Sequence, residues 1–209
     1  MSRELPILFN TEMVRAILDG RKDATRRIVK DFIPDDAVWG HTAFTHKGYI
    51  SCRGTFADGD GEKFFKLPCE PGDILYVRET WKKAPNGYYY YEDWQRNDIA
   101  DITKWKPSIH MPKEAARIWL KVMNVRVERL QEITDEQAKR EGIQYDECPT
   151  GFTWKQETDM HNCYTTPIGA MQALWNSTIK KSDLDRYGWD ANPWVWVIEF
   201  ERCEKPEEI

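Results

Sequence analysis

The hydrophobic positions of this chain fall into short blocks whose period changes from one block to the next. LPILF at 5–9 is an apolar run of strand length. Asn10 or Thr11 stands where a helix cap belongs, and Met13, Val14, Ile17 and Leu18 share one face of a helix over roughly 11–19. Gly20 follows at the position of a left-handed C-terminal cap. Residues 33–67 alternate weakly and read as an irregular insertion with one hairpin around Gly48 and Gly54. Pro71-Gly72-Asp73 is a turn signal, and ILYVRE after it reads as a strand with Ile74, Tyr76 and Arg78 on one face.

Residues 82–108 are aromatic and polar, a long loop or hairpin insertion, and Pro112 opens a single helical turn over PKEAAR. Ile118, Leu120 and Val122 alternate cleanly, whereas Val125 and Val127 resume out of phase. A β-bulge near Met123-Asn124 explains that slip. Thr134 and Gln137 form a capping box, and Gly142 closes the helix it opens. Residues 144–165 are irregular. Thr166-Pro167 starts a second helix that buries Ile168, Met171, Leu174 and Trp175. WVWVIEFER is the last strand, with Trp194, Trp196, Ile198 and Phe200 on one side, and 204–209 is an acidic tail expected to fray. Strands follow strands without strict βα alternation, which predicts a mixed α+β fold around a small curved sheet or barrel, not a doubly wound sheet.

Composition narrows the class. With 209 residues, 41% hydrophobic and 31% charged, the chain can bury roughly 70% of its unfolded surface in one domain. No apolar run approaches the roughly 18 residues of a membrane span, and the first residues lack a secretory pattern, so a cytoplasmic protein without membrane partners is expected. The net charge of −5 speaks against a generic polyanion binder. Five scattered cysteines without a C-x-x-C pair predict free thiols. Cys148, His161 and Cys163 offer three ligand types but neither a knuckle nor a fourth ligand, so no metal is assigned.

The basic stretch GRKDATRRIVK is the most informative segment. Arg21, Lys22, Arg26, Arg27 and Lys30 stand against Asp23 alone between 21 and 30. Entered from a helix end, it reads as a loop whose donors, Arg21 and Arg26 among them, could meet a phosphate or a base, or as a solvated charge run. Trp81 and Arg78 end the strand after Pro71-Gly72-Asp73. Trp81 can stack a pyrimidine or fill core, and Arg78 can hydrogen-bond a base carbonyl. Ser108 and His110 precede Pro112, and His110 is either an acid–base group or structural.

ILDGRKDATRR resembles the G-x-K-x-x-x-x-R signature of ASCH domains, relatives of the PUA-like RNA-binding barrels, with Gly20, Lys22 and Arg27 at the signature positions. PGDILYVRETW and WVWVIEFERC resemble two strands of that fold. The likeness covers 5–30, 68–82, 117–143 and 193–203, about half the chain. Trp105 to Ile118 is similar to a segment of phage and prophage ASCH proteins. Bacterial ASCH proteins that are N4-acetylcytidine amidohydrolases carry a K-x-x-T element, matched by Lys22 and Thr25, and an acidic residue, matched by Glu141. The resemblance implies a PUA-like fold on residues 1–203, with insertions at about 31–67, 82–116 and 144–192 that the compact amidohydrolases lack.

It further implies a cofactor-free and metal-free hydrolase acting on an N4-acylated cytosine nucleoside or base. Thr25 would be the nucleophile, Lys22 the proton acceptor and Glu141 the proton donor, with Arg21, Arg26, Arg78, Trp81, Ser108 and His110 around the substrate. The alternative is a PUA-like module that binds RNA or a modified base, with or without ribonuclease activity. Without catalysis at this site, Lys22 and Glu141 are an ordinary ion pair and Thr25 only satisfies the turn.

Overall fold

The computed structural model describes residues 2–40, 48–96, 104–147, 150–155 and 163–207. It is a mixed α+β structure, mostly strands in several sheets with a few short helices. The central sheet has five strands: β1 (Glu4–Leu8), β2 (Ala24–Ile28), β6 (Ile74–Arg78), β9 (Trp119–Arg129) and β12 (Trp194–Cys203), in the order β1-β6-β9-β12-β2. β1 runs parallel to β6, and the remaining pairs are antiparallel.

Of the three inner strands, β6 and the first half of β12 are buried at successive positions and so covered on both faces, whereas β9 exposes Lys121, Met123 and Asn124. β12 buries Val195 and Val197 as well as Trp196, Ile198 and Phe200, so it departs from the one-sided pattern expected of it. In β9, Asn124 lies opposite Glu199 and Val122 opposite Phe200, leaving Met123 as the extra residue of a bulge. Met123 and Asn124 face solvent while Val122 and Val125 are buried, which is the slip read from the sequence.

α1 (Thr11–Leu18) is capped by Asn10, whose Oδ1 accepts from Met13 N at 2.9 Å. Gly20 has φ +73°, and the chain turns there into β2. The basic stretch is thus an edge strand paired with β12, not the loop expected. Its alternation was hidden because Thr25 and Arg26 are both buried. α3 (Asp135–Arg140) carries the reciprocal Thr134–Gln137 capping box, and α4 (Pro167–Thr178) starts at Thr166, whose Oγ1 accepts from Gly169 N at 3.0 Å.

The insertions are more regular than expected. Residues 31–67 contain a three-stranded sheet of β3 (Val38–Trp39), β4 (Tyr49–Phe56) and β5 (Gly59–Lys66). Its hairpin turns at Ala57-Asp58, beside an Asp-Gly signal, and not at Gly48 or Gly54. Gly54 instead sits under Pro34, whose Cγ would be 2.7 Å from an added Cβ. Trp39 docks this sheet on β12, with ring centroids 5.8 Å from Trp194 and 6.2 Å from Trp196.

The second insertion holds a hairpin, β7 (Trp81–Ala84) and β8 (Gly87–Tyr90), followed by α2 (Tyr91–Arg96) and the expected single turn at Lys113–Ala115. The third adds the hairpin of β10 (Gln144–Glu147) and β11 (Thr150–Thr153), then α4 and α5 (Leu184–Tyr187). Residues 204–207 have no regular secondary structure. Among the described residues no helix is long and apolar enough to cross a membrane.

Candidate active site

Three elements distant in sequence meet at the edge of β2. The turn after α1 carries Lys22 back over Ala16, whose carbonyl accepts from Lys22 N at 3.1 Å. Lys22 forms an isolated antiparallel bridge with Glu141, the residue that ends α3. Gly142 makes this approach possible. Its φ is +102°, and an added Cβ would lie 2.9 Å from the Ala16 Cβ, so both the backbone conformation and the space require glycine.

The side chains follow from that backbone. Lys22 and Glu141 are buried at 4% and 3% exposure. Lys22 Nζ donates to Ala24 O at 2.8 Å, Glu141 O at 2.9 Å and Glu141 Oε2 at 3.2 Å. The other oxygen, Oε1, accepts from Arg26 Nη1 at 2.9 Å. Arg26 Nη2 donates to Glu128 and Gln137, both at 3.1 Å. The capping-box glutamine of α3 therefore also holds the arginine that holds Glu141. Burial pushes the Lys22 ammonium below its ordinary range; the Glu141 carboxylate opposes this, while Arg27 and Arg26 add to it.

A cavity of about 240 Å³ opens onto this cluster. Lys22, Thr25, Arg26, Arg27 and Glu141 line one side. Phe9 and Met13 from the start of α1, with Met171, Leu174 and Trp175 from α4, form the apolar side. Lys22 Nζ and the Arg27 guanidinium lie 5.6 Å and 5.1 Å from the Phe9 ring centroid. The size falls below the roughly 300–1,000 Å³ of drug-sized pockets and suits a flat ring with a small substituent. Thr25 is 2% exposed, lines the cavity, and its hydroxyl makes no hydrogen bond among the described residues.

The structure thus brings together Lys22, Thr25, Arg26 and Glu141. The other expected binding residues stand elsewhere. Arg21 donates to Gly142 O and Asp19 Oδ2, both at 3.1 Å, and ties the turn to the end of α3. Trp81 is 4% exposed in a second apolar cluster with Tyr76, Met111 and Trp119. Arg78 donates to Ile109 O at 3.4 Å. Ser108 and His110 form a 3-10 turn, where His110 is exposed. None of these five lines the cavity.

Sequence reasoning did not connect Phe9, Met13 or the α4 side chains with the site. Their apolar periodicity was visible, but periodicity names a buried face and not what it is buried against. Among the described residues no group of three or more His, Cys, Asp or Glu is placed to hold a metal; Cys148 and His161 lie outside the described residues. No protein-family model, curated protein or solved structure matches this chain.

Proposed function

We propose that this chain is a hydrolase that removes an acyl group from the exocyclic amine of an N4-acylated cytosine nucleoside or base. The observation that carries the reading is the convergence of Lys22, Thr25 and Glu141 on one small cavity, although Lys22 and Glu141 are 119 residues apart. The reading takes the five-stranded sheet as a PUA-like barrel of the ASCH type. In support, its edge strands β1 and β2 approach closely enough for Arg27 Nη2 to donate to Leu8 O at 2.9 Å. It also takes the protein as cytoplasmic, where its four described cysteines, all free, stay reduced.

In the resting arrangement Lys22 is an ammonium whose three N–H groups are all engaged, and Glu141 accepts from a cation on each oxygen. Neither is yet ready for catalysis. Transfer of one proton along the 3.2 Å Lys22–Glu141 hydrogen bond changes both at once, giving an amine and a carboxylic acid. Burial weakens the hold of Lys22 on its proton, and Arg26, bound to Glu141 Oε1, limits how far the exchange goes.

The amine then accepts the Thr25 proton as Oγ1 attacks the acyl carbonyl. The carbon–nitrogen bond breaks as Glu141 protonates the departing cytosine amine. Water hydrolyses the resulting threonine ester, releasing the carboxylic acid and restoring the hydroxyl. Arg26 Nε, buried without a hydrogen-bond partner among the described residues, is a donor for the substrate's carbonyl oxygen. The test is release of cytidine from N4-acetylcytidine in the presence of a chelator. The reading predicts turnover that ignores the chelator and is lost on removing the Thr25 hydroxyl.

A further inference from the structure

β1 and β2 stand at the two ends of the five-stranded order, so among the described residues each has one edge without a strand beside it. Arg27 Nη2 bridges these edges by donating to Leu8 O at 2.9 Å. A second cavity, of about 420 Å³, lies at this seam. Leu5, Ile7, Leu75 and Ile198 give it an apolar lining, and Arg27 is its one charged residue among those described. Leu8 and Arg27 line this cavity and also the one that holds Lys22, Thr25 and Glu141. The bridge they form is therefore the partition between two compartments.

Strand register ties the second compartment to the reacting group. Thr25 of β2 pairs with Ile198 of β12, and Arg27 with Trp196. Directly opposed residues share a face of the sheet, as do residues two apart along a strand. Thr25, Arg27 and Ile198 thus lie on one face, and the seam cavity starts at the cross-strand neighbour of Thr25. Beyond it, Leu5 pairs with Leu75 and Ile7 with Val77, which puts Leu5, Ile7 and Leu75 on a common face by the same rule.

Size and chemistry name the occupant. The cavity of about 240 Å³ takes a flat ring with a small substituent, so a chain longer than acetyl has to continue elsewhere. From a carbonyl at Thr25 it meets the aliphatic stem of Arg27 and then the apolar lining of the seam. The guanidinium itself is engaged by Leu8 O and lies 5.1 Å from the Phe9 ring centroid, which leaves hydrocarbon to receive hydrocarbon. We infer that the preferred substrates carry a medium-length hydrocarbon acyl group, of the butanoyl to hexanoyl class, seated in the seam cavity beside Ile198. The inference rests on the hydrolase reading and names its acyl specificity. The chain passes to Thr25 Oγ1 as the carbon–nitrogen bond breaks and the amine takes the Glu141 proton; one water then releases the fatty acid and restores the hydroxyl.

The test measures kcat/KM for cytidine release from N4-acetyl-, N4-butanoyl- and N4-hexanoylcytidine by the full chain. Each methylene that enters an apolar site gains roughly threefold, so the hexanoyl substrate should exceed the acetyl one by at least about tenfold. Leu5 is half-buried at the rim of the seam cavity, whereas Ile7, Leu75 and Ile198 are buried. Leu5→Trp should fill the space and bring the hexanoyl-to-acetyl ratio down to about one or below. That ratio, taken on one sample, does not depend on how much of the sample is folded. Cytidine from the acetyl substrate with no rise toward hexanoyl, or a rise that Leu5→Trp leaves intact, overturns the acyl assignment while the hydrolase reading stands. No cytidine from any of the three, with a sample that melts cooperatively, removes the hydrolase reading and this inference with it.

Discussion

Lys22 joins structure and chemistry in one side chain, because the ammonium that would act as base also satisfies two buried carbonyls and the Glu141 carboxylate. Lys22→Ala should therefore do two things. It should abolish turnover, and it should cost about 3–5 kcal/mol in urea unfolding, since a buried ion pair loses one partner. Thr25 separates the two effects. Its hydroxyl has no hydrogen bond to lose among the described residues, so Thr25→Val should remove activity while changing stability by under about 1 kcal/mol, and Thr25→Ser should retain measurable turnover. The pH–rate profile carries a further sign. The working pair of Lys22 and Glu141 shares one proton, and burial with Arg27 and Arg26 nearby brings its loss from Lys22 below the ordinary 10.5, so the rate should fall as pH rises through that lowered value. Arg27→Gln removes one of those cations and should move the falling limb to higher pH.

At the scale of elements, the ends of helices matter more than their middles. Thr134 caps α3 and Gln137 completes the box while accepting from Arg26. Thr134→Ala should cost about 0.5–2 kcal/mol and lower kcat as well, because α3 delivers Glu141. The Pro71-Gly72-Asp73 turn is secured by Asp73. Burial raises its pKa, but hydrogen bonds from Arg3 and the Glu70 backbone outweigh that and leave it below 3.8. Asp73→Asn should destabilise by about 1–3 kcal/mol at neutral pH. A group with a depressed folded pKa loses its contribution as pH falls through that pKa. The difference between wild type and variant should therefore narrow only below pH 3.8, as acid titration followed by circular dichroism can show. The Asn10 cap, the capping box and the Met123 bulge were legible in the sequence because each depends on a few neighbouring residues. β2 was not, since its cations are buried by partners more than a hundred positions away, such as Glu141.

At the scale of the whole molecule, the insertions complete the cavity and extend the surface. α4, within the third insertion, supplies Met171, Leu174 and Trp175 to the wall opposite the ionic cluster. Met171→Ala should cost about 2–5 kcal/mol and raise KM for the acylated nucleoside, since it loosens the wall without touching the reacting groups. That Lys22, Thr25 and Glu141 form a set was readable from the family resemblance. That Arg26 buttresses Glu141, and that Arg78, Trp81, Ser108 and His110 belong to a different surface, depended on how strands separate in space. The central claim is that Thr25 is the nucleophile of an N4-acylcytosine hydrolase. Its most direct measurement is chromatographic detection of cytidine after incubating wild type and Thr25→Val with N4-acetylcytidine, at matched melting temperatures and with a chelator present. The account predicts cytidine from wild type and none from Thr25→Val; no cytidine from folded wild type, or equal release by both, would contradict it.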